Sequence, residues 1–254
     1  MDEWLLLLLA IGGFSAGFVD AVVGGGGLIQ IPLLFSAFTQ QIPAVIFGTN
    51  KIASIFGTAT AAVQFAKRIR FDLRLTAAGA AFALLGSFLG ARSVSYLDPD
   101  IARPLVLVML IGVALYTFKN KNFGTGPDEN RIEGKIAYLR LCTIAILIGF
   151  YDGFFGPGTG SFFIFLMIRF LRMDFLRASA TAKVLNFSTN LAAIGYFASI
   201  DAILWKVGLV MAAANILGAI TGSHLALKHG AGFVRKLFLA VVVALISKMA
   251  YDMF

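Results

Sequence analysis

Val19-Asp20-Ala21-Val22-Val23-Gly24-Gly25-Gly26-Gly27-Leu28-Ile29-Gln30-Ile31-Pro32 lies within one of the most apolar parts of the chain. Four consecutive glycines break a helix, and a carboxylate just before them is costly to bury. The same combination recurs at an offset of 132 residues. Gly17-Phe18-Val19-Asp20 falls on Gly149-Phe150-Tyr151-Asp152, and Gly24-Gly25-Gly26 on Gly156-Pro157-Gly158. Thr49-Asn50-Lys51-Ile52 falls on Thr181-Ala182-Lys183-Val184, and the pair Gly86/Gly90 on Gly218/Gly222. The register slips by one near Thr159–Gly160 and recovers. One offset that matches Gly, Asp and Lys in separate segments marks an internal duplication.

The surroundings of both motifs set the fold class. Of 254 residues, 59% are hydrophobic and only 13% charged, with a mean hydropathy of +0.88. A soluble domain is nearer half apolar and about a quarter charged. The apolar residues come in runs such as Trp4–Val22, Leu75–Ala91 and Ile101–Phe118, close to the roughly 20 residues that span a hydrocarbon layer. Such runs fill nearly the whole chain and lack barrel-type alternation. They predict an all-α polytopic membrane protein. Each half holds five apolar segments, giving eight to ten helices: 4–22, 27–38, 43–66, 73–94 and 101–118, then 137–155, 160–171, 178–198, 203–226 and 233–252. The repeats are 1–118 and 137–254, and the polar stretch 119–136 with Gly124-Thr125-Gly126-Pro127 is a cytoplasmic linker. The second segment of each half is too short to cross, which predicts a Gly-rich broken or re-entrant helix in both.

Charge gives the orientation. The net charge of +8 belongs to residues that cluster between the apolar runs, so it orients a membrane protein rather than binding nucleic acid. With loop 67–74 cytoplasmic and sides alternating from there, 15 of the 21 Lys and Arg residues fall in cytoplasmic connections. Loop 67–74 is basic and inside; its counterpart 199–206 is outside. The halves are therefore expected to be an inverted repeat, with both termini outside. The N-terminus is acidic at Asp2 and Glu3, unlike a signal peptide. The one cysteine, Cys142, forms no internal disulfide.

Polar residues at membrane depth are the candidates for function. Asp20 and Asp152 end the first segment of each half, and Lys51 and Lys183 open the third. Asn50 accompanies Lys51, and Asn186 and Asn190 share a helix face with Lys183. Gly24, Gly25, Gly26 and Gly27, and Gly156, Gly158 and Gly160, precede short helices whose N-terminal N–H groups favour anions. Two such N-termini and two lysines make an anion site where the repeats meet, the arrangement of secondary transporters. Asp20 and Asp152 carry a coupling proton or serve as counter-charges. The GxxxG pairs read as close helix packing. No nucleotide loop, nucleophile elbow, metal cluster or cofactor motif is present.

The stretches AGFVDAVVGGGGLIQIPLL and GTNKIASIFGT, repeated as GFYDGFFGPGTGSFFIF and ATAKVLNFSTN, resemble the TauE/SafE family of permeases, the sulfite exporter or sulfonate uptake family. The resemblance runs over the whole chain. It implies a non-enzymatic permease for a small anion (sulfite, a sulfonate or a related organic or sulfur oxyanion) in a prokaryotic inner membrane. The motif positions it carries over are Asp20, Gly24–Gly27 and Lys51, then Asp152, Gly156, Gly158, Gly160 and Lys183. Pro157 interrupts the second glycine run and Ala182 stands where the first half has Asn50, so the half-sites differ. The alternative is a passive anion channel. The partners expected are the anion and the lipid bilayer; oligomeric state is not legible.

Overall fold

The computed structural model describes residues 3–94, 96, 108 and 132–228. The fifth segment expected in each half, 101–118 and 233–252, and most of the linker lie outside the described residues. All regular structure within them is helical, in eight helices: α1 (Glu3–Val23), α2 (Gly27–Ala37), α3 (Pro43–Ala66), α4 (Leu73–Val94), α5 (Gly134–Phe154), α6 (Thr159–Leu171), α7 (Phe175–Ser199) and α8 (Trp205–Lys228). Helices are what a membrane permits, because each backbone polar group bonds within its own segment. The expected segments 43–66 and 73–94 coincide with α3 and α4.

Two kinds of helix sort by burial. α1, α4, α5 and α8 are long and apolar enough to cross a membrane. They turn large apolar side chains outward, among them Leu7 and Ile11 on α1, Leu85 and Phe88 on α4, Leu139 and Leu147 on α5, and Leu209 and Leu217 on α8. Exposed apolar surface on this scale suits lipid rather than water, and the chain is an integral membrane protein. α3 and α7 are the opposite case. Ile46–Ala53 is buried without interruption, as is Ala178–Lys183. A helix buried all round lies inside the bundle, and these two, which pack on each other, carry the polar residues. α2 and α6 have 11 and 13 residues. At about 1.5 Å per residue neither reaches across a hydrocarbon core of about 30 Å.

Glycines set how closely the outer helices approach. An added Cβ at Gly86 would overlap the Ile146 carbonyl of α5, and one at Gly90 the Phe150 carbonyl. Cβ atoms at Gly218 and Gly222 would overlap the Phe14 and Phe18 carbonyls of α1. The shift of 132 residues carries the first set of contacts onto the second: α4 meets α5 as α8 meets α1. Gly149 against Ala83 and Gly17 against Asn215 complete the correspondence. Close backbone approach through small residues is the usual way membrane helices associate. Gly90→Val therefore forces α4 and α5 apart. Overpacking of this kind costs about 1–3 kcal/mol, read as a lower melting temperature in detergent.

The connections gather at two ends. Arg70 and Asp72 between α3 and α4, Glu133 and Tyr138 around the start of α5, and Arg177 near the start of α7 line one cavity. Arg140 of α5 donates to the Phe170 carbonyl at the end of α6, over 2.7 Å. Three basic connections thus share one end. The α7–α8 connection lies near the other end of α3, where Leu204 N–H donates to Thr49 Oγ1 at 2.9 Å and Ala202 abuts Gly48.

Candidate functional site

The two glycine breaks meet each other. Gly24 and Gly160 are so close that a methyl on either would overlap the other's backbone. The Ser161 N–H donates to the Gly24 carbonyl at 3.3 Å. Gly24 has φ +85° and Gly156 φ +97°, left-handed values that side chains resist. Glycine is thus needed both to turn the chain and to let the breaks touch.

Each lysine of the central helices reaches the break of the other half of the chain. Lys51 on α3 forms an ion pair with Asp152 at the end of α5, Nζ to Oδ2 2.7 Å. Its ammonium lies 3.0 Å from where a Cβ of Gly156 would stand. Lys183 on α7 donates to the main-chain carbonyl of Asp20 at the end of α1, and lies 5.8 Å from the centre of the Phe65 ring, within cation–π range. The two aspartates are held differently. Asp152 Oδ1 accepts from the Thr159 hydroxyl at 2.6 Å. Asp20 accepts from neutral donors, the Thr58 hydroxyl at 3.1 Å and the Gly26 N–H at 3.4 Å.

All four charged residues are buried: Lys51 is 1% exposed, Lys183 and Asp152 2%, and Asp20 8%. Desolvating two charges costs about what their attraction returns. The Lys51–Asp152 pair is therefore weak as a source of stability, but it keeps this interior electrically neutral. An edge-to-face series of rings, Phe35–Phe47–Phe155–Tyr151–Phe162, runs through the apolar core.

The residues singled out from the sequence divide into two groups. Asp20, Asp152, Lys51, Lys183 and the glycines of both breaks come together. Asn50, Asn186 and Asn190 are buried nearby on α3 and α7, but no described hydrogen bond joins them to a lysine. Asn186 Oδ1 accepts from Thr189 at 3.3 Å. Asn50 Oδ1 and Asn190 Nδ2 have no hydrogen-bond partner among the described residues. Two of the backbone donors expected to face a ligand, Gly26 N–H and Ser161 N–H, are used by Asp20 and Gly24. Gln30 was not anticipated. It is fully buried on α2, accepts from Ser54 at 2.9 Å, and its Nε2 has no partner among the described residues. Its signal was a lone amide in a short apolar helix. Asn215 on α8 was missed too; it donates to the Gly13 carbonyl at 3.1 Å.

The chain is matched over residues 9–249 by the family model described as sulfite exporter TauE/SafE. A probable membrane transporter protein, ORF9, of a Sinorhizobium species is 37% identical over 248 residues, covering 98% of this chain and 93% of its own. A probable membrane transporter protein of Haemophilus influenzae is 36% identical, covering 98% and 95%. The Escherichia coli K12 probable membrane transporter protein YfcA is 32% identical, covering 98% and 90%. No solved structure matches the chain. With a family model matched over residues 9–249 and a relative 37% identical over 98% of this chain and 93% of its own, the chain belongs to the TauE/SafE family.

Proposed function

We propose that the protein is a secondary transporter that moves a small anion across a prokaryotic inner membrane, by a site where two inverted repeats, 1–118 and 137–254, cross. It is a member of a transporter family and not an enzyme. The observation that carries the reading is the meeting of two helix breaks with two buried lysines, one from each central helix. An ammonium at this depth is expensive, and a site that hosts a transported anion is what such groups mark in membrane proteins. Lys51 and Lys183 supply charge. Gly24–Gly27, Gly156, Gly158 and Gly160 bring backbone to the anion, with Asn50, Asn186 and Asn190 as neutral groups around it. Asp20 and Asp152 act as counter-charges or carry a coupling proton.

The exchange of α4–α5 contacts with α8–α1 contacts under the 132-residue shift supports duplicated halves. The placement of connections 67–72 and 200–204 toward opposite ends of α3 supports their inversion. The clustering of basic connections at one end supports a cytoplasmic assignment for that end, with both termini outside. The short α2 and α6 are the re-entrant or broken elements. The family description, sulfite exporter, supports sulfite as substrate, and a sulfonate or a related oxyanion shares its anionic chemistry.

Purified protein in vesicles is the test. Sulfite and methanesulfonate are expected to enter saturably, and external uptake to be accelerated by the same anion inside. Current that rises linearly with anion concentration, without such counter-exchange, would instead identify a passive channel. Absence of binding across sulfite, sulfonates, thiosulfate and carboxylates would overturn the anion reading.

A further inference from the structure

We infer that the coupling ion is a proton taken by Asp152, with Thr159 as the positioning residue that accommodates it, and that this proton frees Lys51 for the anion. The inference rests on the proposed anion site.

Charge balance comes first. Lys51 is committed to Asp152 at 2.7 Å in an interior only about 2% exposed. An anion that reaches Lys51 while Asp152 is ionised meets a carboxylate already bound to the same ammonium. The site then holds one buried positive charge against two negative ones, and repulsion in a poorly screened interior is severe. If Asp152 takes a proton as the anion arrives, the ammonium is released from one negative partner and receives another, and the local charge stays at zero. One proton is consumed per negative charge placed on Lys51.

Hydrogen-bond geometry provides for both protonation states. The Thr159 oxygen lies 2.6 Å from Asp152 Oδ1 and 2.8 Å from the Gly156 carbonyl. A hydroxyl has one proton, so it donates to only one of these acceptors at a time. With Asp152 ionised, Thr159 donates to Oδ1. With the proton on Oδ1, the carboxylic acid donates to the Thr159 oxygen, and the hydroxyl proton turns to the Gly156 carbonyl. Neither state leaves a donor idle, and no heavy atom needs to move. Gly156 is itself the break that Lys51 touches, so the proton, the lysine and the unwound backbone meet at one point. Asp20 lacks this arrangement: its carboxylate has the Thr58 hydroxyl and the Gly26 N–H, and Lys183 is bound to its main chain.

Among the described residues, Lys135, Tyr138 and Arg140 lie in the first two turns of α5 and Arg177 in the first turn of α7. Tyr151, beside Asp152 on α5, donates its hydroxyl to the Pro157 carbonyl. Asp20 of α1 and Lys183 of α7 stand at the opposite break. On α4 and α6, Arg74, Arg92 and Arg169 lie in terminal turns, and α2 carries no charged residue. Asp152 with Lys51 is therefore the unit that exchanges charge with the substrate.

The experiment uses full-length protein, methanesulfonate as the anion, and an inside-alkaline pH gradient across vesicles. Wild-type protein is expected to accumulate the anion and acidify the lumen. Its apparent affinity should fall about tenfold per pH unit on the alkaline side, the signature of one linked proton. Asp152→Asn imitates the protonated acid. With the anion then the counter-charge of Lys51, it should bind the anion with no pH dependence and lose accumulation and acidification. Thr159→Val should move the pH at which the affinity begins to fall, because Asp152 loses a hydrogen-bond partner, and Thr159→Ser should leave it in place, a contrast that a purely structural role does not produce. Accumulation by Asp152→Asn equal to wild type, or wild-type uptake indifferent to the pH gradient, overturns the coupling while leaving the anion site standing. No methanesulfonate or sulfite exchange in the wild type overturns both.

Discussion

Lys51→Met protein is expected to bind neither sulfite nor methanesulfonate, and also to melt well below the wild type. The first effect follows from removing the ammonium that the anion would meet. The second follows from what remains. Asp152 is 2% exposed and its Oδ2 has Lys51 as ion-pair partner. Removing one member of a buried pair leaves the other uncompensated, at a cost of about 3–5 kcal/mol. Methionine fills much of the lysine's volume, so a cavity contributes little. The double variant Lys51→Met with Asp152→Asn separates the effects. It removes both charges, recovers most of the melting temperature, and recovers none of the binding. If the double variant stays as unstable as the single one, the loss is one of packing. If the single variant still binds the anion, Lys51 is not part of the site.

Gly24→Ala is the second large effect, and Gly27→Ala is its control. The two positions sit three residues apart in one glycine run, and sequence alone does not rank them. In the structure they differ sharply. Gly24 has φ +85°, and a Cβ there would overlap the backbone of Gly160 and Ser161. Left-handed strain of about 1–2 kcal/mol adds to overpacking of about 1–3 kcal/mol, and the clash is with backbone that cannot rotate away. A Cβ on Gly27 meets Pro157 at 3.4 Å, an ordinary contact, in the first turn of α2. Gly27→Ala should therefore match the wild type in melting temperature, while Gly24→Ala loses both stability and anion exchange. Equal behaviour of the two would show that the breaks do not meet as described.

Much of this architecture is legible in the sequence, for a physical reason. A membrane leaves few solutions, so apolar run length and glycine placement predicted α3 and α4 to the residue and the packing role of Gly86/Gly90 and Gly218/Gly222. Shared polar residues at one offset singled out side chains that the fold brings together. The sequence did not say which lysine meets which aspartate. The Asp20-to-Lys51 spacing repeats between Asp152 and Lys183, and nothing in it distinguishes pairing within a half from pairing between halves. That is decided by the crossing of α3 and α7, a tertiary property. Nor did the pattern show that similar half-sites use unlike bonds. Thr159, at the very slip in register, gives Asp152 a hydroxyl from its own break, whereas Asp20 takes one from Thr58 on α3.

The crosswise bonding bears on how the chain is made. Synthesis runs from the N-terminal to the C-terminal side, so α1 to α4 leave the ribosome before any part of α5. At that stage Lys51 has no Asp152, the Gly24 carbonyl has no Ser161 N–H, and the faces of Gly13 and Gly17 have no α8 to cover them. A half-made chain thus holds a lysine at membrane depth with its counter-charge still untranslated. It gains that partner only when the end of α5 arrives. A chain stopped near residue 118 is left with an uncovered cation and an open backbone acceptor, the features by which quality-control proteases can recognise an orphan membrane segment. Completion of the site thus waits for the second half of the chain.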